Sequence, residues 1–183
     1  MRTTIAAVGL TASALTLGIV GPAHAELYGV DDARDTDHGS DILALQVRNG
    51  PDNLNVRTQH VNLRRDPATG SGGMIFVDTD RSDRGPEYVF VGGYYKGTDY
   101  VLRETEGFRR STWGDPVEQG DYILRVSYVK DRALVRISQA ALGNPDEVRV
   151  AVRASGTRSD GTSDGLVDWV GKRRSFSLWV ARG

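Results

Sequence analysis

From Leu43 onward, apolar residues return at every second position, in short runs closed by Gly, Asp, Asn or Pro. That spacing constrains the fold most. A strand sends successive side chains to opposite faces, whereas a helix needs a period near 3.6 residues. Leu43, Leu45 and Val47 share one face of a first strand. Leu54, Val56 and Thr58 share a face of the next, across the turn Asn49-Gly50-Pro51-Asp52-Asn53. Val61 and Leu63 continue in the opposite phase, which predicts a β-bulge near His60. Met74-Ile75-Phe76-Val77 is apolar on both faces, so it reads as a central strand covered twice. Glu87 to Val91 is another strand, and Tyr94-Tyr95-Lys96-Gly97 reads as a turn tip. Tyr122 to Tyr128 and Ala133 to Ile137 alternate around Lys130-Asp131, the clearest hairpin. Val148, Val150 and Val152 form a further strand, and the last places Phe176, Leu178 and Val180 inward.

Gln139-Ala140-Ala141-Leu142 is the one helical turn expected, stopped by Gly143 and Pro145. The chain therefore predicts an all-β protein of about nine or ten antiparallel strands. Two sheets packed face to face bury the apolar faces of both, so the expectation is a β-sandwich, jelly-roll-like in its uneven strands and connections.

The start of the chain reads as an address. Arg2 precedes an apolar, small-residue stretch from Ile5 to Val20, broken by Gly21-Pro22, and Ala23-His24-Ala25 fits a small-x-small cleavage site. The stretch is shorter than the roughly 20 residues a spanning helix needs. Residues 1–25 are thus expected to be a Sec signal peptide cleaved after Ala25. Residues 26–183 would then be one secreted β-sandwich domain without a membrane span. No cysteine is present, so stability must come without disulfides.

Removing residues 1–25 takes away one of the 23 basic residues and none of the 24 acids, moving the formal charge from −1 to −2. The basic groups Arg64-Arg65, Arg109-Arg110 and Lys172-Arg173-Arg174 are scattered among acids, so nucleic acid is not an expected partner.

Asp78-Thr79-Asp80-Arg81-Ser82-Asp83 is the sharpest local motif. Asp78, Asp80, Asp83 and Glu87 supply oxygen ligands of the kind a Ca²⁺ shell needs, and calcium is the one cofactor the sequence suggests. The same residues also suit an Asp-capped turn neutralised by Arg81 and Arg84. A second acidic group, Asp31, Asp32, Asp35, Asp37 and Asp41, reads as a solvated turn or a further calcium segment.

No catalytic residue is assigned. His38 and His60 are the only histidines after residue 25, too few for the usual zinc site. A carboxylate pair of the glycosidase type could come from Glu87, Glu104, Glu106 or Glu118. The aromatics point instead to binding. Trp179 lies out of phase with Phe176, Leu178 and Val180, so it should stand on the outer surface as a platform for a sugar ring. Trp113 and Trp169 in loop-like contexts, and Tyr94 and Tyr95 at the turn tip, complete the candidate ligand-binding set.

The order of motifs carries a resemblance. Asp31-x-x-x-Asp35 comes first, then Phe76-Val77-Asp78-Thr79-Asp80 and Gly85-Pro86-Glu87-Tyr88. Val135-Arg136-Ile137-Ser138-x-x-x-Leu142-Gly143-x-Pro145, Asp168-Trp169 and Phe176-Ser177-Leu178-Trp179-Val180 follow. This resembles small secreted bacterial proteins of unassigned function and, more distantly, DOMON-like and family-nine carbohydrate-binding β-sandwiches. The resemblance implies a sandwich with structural calcium that binds an extracellular glycan, cell wall or protein without catalysis. A secreted hydrolase, or a structural protein acting through protein contacts, is the alternative.

Overall fold

The computed structural model describes residues 26–183, and the expected signal peptide lies outside them. Among the described residues, twelve strands form two antiparallel sheets, and no helix is longer than a 3₁₀ turn. One sheet comprises β1 (Glu26–Asp31), β2 (Ile42–Asn49), β3 (Asn53–His60), β8 (Tyr122–Ser127) and β9 (Arg132–Ser138), in the order β1-β2-β3-β9-β8. The other is ordered β11-β10-β4-β5-β6-β7. Its members are β4 (Gly72–Asp78), β5 (Tyr88–Gly93), β6 (Tyr100–Thr105), β7 (Trp113–Pro116), β10 (Glu147–Ser155) and β11 (Val167–Trp169). A short β12 (Val180–Ala181) pairs with the start of β10.

The protein is thus a β-sandwich. Hairpins join most consecutive strands, and within the described residues the chain changes sheet only between β3 and β4, β7 and β8, and β9 and β10. The winding is therefore one of meanders, where a jelly roll would alternate between sheets, because short turns favour pairing with the next strand.

The core lies between the sheets. Leu45, Val47, Leu54 and Val56 from one side meet Ile75, Val77, Phe90, Leu102, Val148, Val150 and Val152 from the other. The expected bulge falls opposite His60, with the extra residue on β2: register shifts between Ile42 and Ala44. The shift turns Ile42 into the core in place of Leu43. The helical turn Gln139–Leu142 is present, capped by the Ser138 side chain and closed by Gly143 at φ 74°. The last segment departs from expectation. Val180 is buried, but Leu178 is exposed, because residues 176–179 form no regular ladder.

A buried polar chain ties the sheets together. Thr58 Oγ1 and His60 Nε2 are 2.8 Å apart, and the Tyr94 hydroxyl meets that of Thr58. The His60 and Tyr94 rings meet edge to face at 5.0 Å. Burial lowers the His60 pKa to about 4 and raises that of Tyr94 to about 12. Tyr94 is therefore a core residue and not a turn-tip contact. Its ring fills the place where Gly73 lacks a side chain: a Cβ there would lie 1.8 Å from the hydroxyl.

Candidate functional site

The outer face of the larger sheet carries a second apolar cluster, which marks the candidate site. On β4, Ile75 and Val77 face the core, so Met74 and Phe76 face outward. Register places Val89 of β5 and Ala151 of β10 on either side of Phe76. Neither neighbour is bulky, so the Phe76 ring is open to cover from above, and loops supply it. Phe108 from the β6–β7 connection sits 4.8 Å from Phe76, ring centre to ring centre. Trp169 of β11 stacks on Phe76 at 6.0 Å with 12° between the planes. Phe176 packs on Phe108 at 5.4 Å. Such pairs add about 0.5–1.5 kcal/mol each beyond area burial. The doubly covered strand expected at 74–77 is this one.

Between these rings and Trp113 opens a cleft of about 580 Å³. Met74, Phe76, Phe108, Trp113, Val167 and Trp169 form its apolar walls, and Arg110, Arg153, Arg173 and Arg174 form its rim. Arg153 stands on β10 opposite both Met74 and Trp169. The Arg110 guanidinium lies 5.7 Å from the Trp113 ring centre, and that of Arg174 lies 5.8 Å from Phe108. Arg174 has φ 63°, a left-handed conformation that costs energy for any residue with a Cβ. Among the described residues, the only other non-glycine residues in that region are Asp131 and Asn144, types that tolerate it. The turn holding Arg174 is closed by Ser175, whose N–H and hydroxyl both donate to the Lys172 carbonyl, at 2.9 and 2.6 Å.

Two candidate residues, Trp113 and Trp169, thus share one cleft. The others do not join them. Trp179 is half-buried away from it. The Arg81 and Arg149 guanidiniums each lie 4.7 Å from its ring centre, so it is no bare platform. Tyr95 is half-buried against Gly93. Sequence reasoning missed Phe76, Phe108 and the four arginines. The basic runs at 109–110 and 172–174 were visible, but not that folding would bring them to one rim.

The chain matches no protein-family model and no curated protein.

The acidic motif is a turn in which each carboxylate already has a partner. Asp78, fully buried, pairs with Arg149, whose Nη2 is 2.6 Å away. Asp80 accepts from the Ser82 N–H and hydroxyl, and Asp83 from the Arg84 N–H. Glu87 accepts from the Thr79 N–H and hydroxyl. Arg81 pairs with Glu147. No group of three or more acids and histidines among the described residues converges as a metal site, and Asp78, Asp80, Asp83 and Glu87, the residues expected to hold calcium, are each engaged within the turn.

Asp41 and Asp168 serve as clamps too. Buried Asp41 accepts from Thr36 N–H at 2.9 Å, and Asp168 accepts from Ile42 N–H at 2.7 Å. Burial, with the charges of Asp32 and Asp41 nearby, raises the Asp168 pKa to about 6. His38 Nδ1 lies 2.9 Å from Ser40 Oγ, and burial lowers its pKa. These interactions fix the β1–β2 connection to β11.

Proposed function

We propose that this protein is a secreted, non-catalytic binding module that holds an extracellular or cell-wall glycan in the cleft beside Trp113 and Trp169. The observation that carries the reading is the aromatic lining of one cleft on an otherwise solvent-facing sheet. The C–H faces of sugar rings pack on aromatic faces while rim groups bond the hydroxyls. A rigid sandwich presents such a surface with little ordering on binding.

The test is retention of the purified protein on insoluble polysaccharides and peptidoglycan. Trp113→Ala and Trp169→Ala are expected to lose retention, with melting curves confirming that each variant is folded. Trp179→Ala is expected to keep it. Retention unaffected by both cleft variants, or absent on every matrix, would overturn the reading.

A hydrolase reading has one observation behind it. Glu87, Glu104 and Glu106 line a neighbouring cleft of about 500 Å³ that shares Trp113. Burial pushes the Glu87 carboxyl upward, the direction a general acid needs. Release of reducing sugar from the same polysaccharides, lost in Glu104→Gln and Glu106→Gln, would favour it over a binding module.

A further inference from the structure

The rim of the cleft is charged with one sign. Its four arginines come from three places: the 3₁₀ turn Arg110–Thr112, β10 and the loop after β11. Among the described residues, no acid lines the cleft. Among the described residues, none of the four forms an ion pair with a carboxylate, although Arg34, Arg81, Arg149 and Arg182 all do. The chain as a whole has an acidic excess, so this cluster does not reflect general basicity.

Arg153 is the clearest case. It is half-buried, and among the described residues its side-chain hydrogen bonds reach only Met74 Sδ at 3.6 Å and Ser155 Oγ at 3.4 Å. A guanidinium has five N–H donors, so most of its capacity is unspent within the protein and free to face the cleft. Burial and the charge of Arg173 both lower its pKa, as expected of a cation lacking a counter-charge. The left-handed backbone at Arg174 holds another charge at the same rim against a conformational cost.

Resting on the glycan reading above, we infer that the cleft takes an acidic polysaccharide, its uronate rings stacked on the aromatic walls and their carboxylates held by the arginine rim. The ring carboxylate of a uronate lies at the edge of the sugar, so a ring packed flat on Trp169 or Trp113 turns it toward the rim. A guanidinium matches a carboxylate with two parallel N–H···O bonds, which is stronger and more directional than a hydroxyl contact. A neutral glycan would leave Arg153 without a counter-charge.

The experiment is affinity electrophoresis and calorimetry of the purified protein with polygalacturonate, alginate and hyaluronate. Each is compared with its carboxyl-reduced form, which keeps the ring but loses the charge. Dextran sulfate and a single-stranded oligonucleotide serve as other polyanions. At least one uronate polymer is expected to bind tenfold or more tightly than its reduced form and than both other polyanions. Arg153→Gln, and Arg173→Gln with Arg174→Gln, should each weaken that binding at least tenfold. Arg57→Gln, on the opposite sheet, should leave it unchanged. Equal binding of a polymer and its reduced form would overturn the acidic preference while leaving the glycan reading standing. No binding to any polymer, charged or reduced, would overturn both. Dextran sulfate or the oligonucleotide binding as tightly as the uronates would reduce the cleft to a general anion site and overturn the inference.

Discussion

His60 and Asp168 are expected to tilt the stability of this protein in opposite directions between pH 4 and 7. In the fold His60 stays neutral down to about pH 4, whereas the unfolded chain begins to protonate it at its ordinary 6.5. Its pKa is lowered by folding, so its contribution is complete above pH 6.5 and lost as the pH falls toward 4. The gap of roughly 2.5 units at 1.36 kcal/mol per unit is about 3 kcal/mol. Asp168 is the reverse. Its pKa rises from 3.8 to about 6, so its contribution is complete below 3.8 and lost as the pH rises through 6. That is again about 3 kcal/mol. In the wild type these two slopes nearly cancel, and single variants expose them. Relative to wild type, His60→Gln should gain about 3 kcal/mol as the pH falls from 6.5 to 4, and Asp168→Asn should lose about as much. Urea unfolding followed by tryptophan fluorescence at pH 4, 5, 6 and 7 reads the difference. With a slope near 2 kcal/mol per molar, each variant's midpoint should shift against wild type by about 1.5 M across the range. Variant curves parallel to wild type would refute the argument, because neither group would then be titrating differently in the fold.

Other expectations follow from single contacts. Arg149→Met leaves the buried Asp78 carboxylate without its partner and should cost about 2–4 kcal/mol, largely recovered by adding Asp78→Asn, in a double-mutant cycle of urea midpoints. Gly73→Ala drives a methyl into the Tyr94 hydroxyl and should lose about 2 kcal/mol or more, whereas Gly97→Ala meets no neighbour and should lose only the smaller cost of its φ of 80°. Phe76→Ala should cost about 3–5 kcal/mol and abolish retention on polysaccharide, read by melting and pull-down together. Millimolar calcium or EDTA should leave the melting temperature unshifted, since Asp78, Asp80, Asp83 and Glu87 are engaged within the turn; a rise of several degrees with calcium would refute that assignment.

What the sequence determined by itself was local. Period-two alternation fixes which residues share a face, because a strand's side chains alternate whatever it pairs with. The shared face of Leu54, Val56 and Thr58 and the Lys130-Asp131 hairpin follow from it, while the strand Met74–Val77 follows from its unbroken apolar run and the turn at Gln139–Leu142 from the stops at Gly143 and Pro145. Tyr94, read from the sequence as a turn-tip contact, is in fact buried; continuing the alternation of Phe90 through Gly92 is the signal that would have placed it inward. The tertiary structure alone decided which strands meet. Thr58 pairs with Ala133 and Phe76 with Ala151, and Asp168 reaches Ile42 across 126 residues. The cleft is a product of those distant pairings. Arg110, Arg153 and Arg173 lie in segments far apart in the chain, and nothing in their local sequence distinguishes them from arginines paired with acids elsewhere. Trp179 shows the same limit in reverse. Its outward phase was readable, but Arg81 and Arg149 cover its ring because Asp78 and Glu147 hold them there. Alternation is set within a few residues of backbone, whereas a binding surface is set by side chains converging from strands that only the folded sheets bring together.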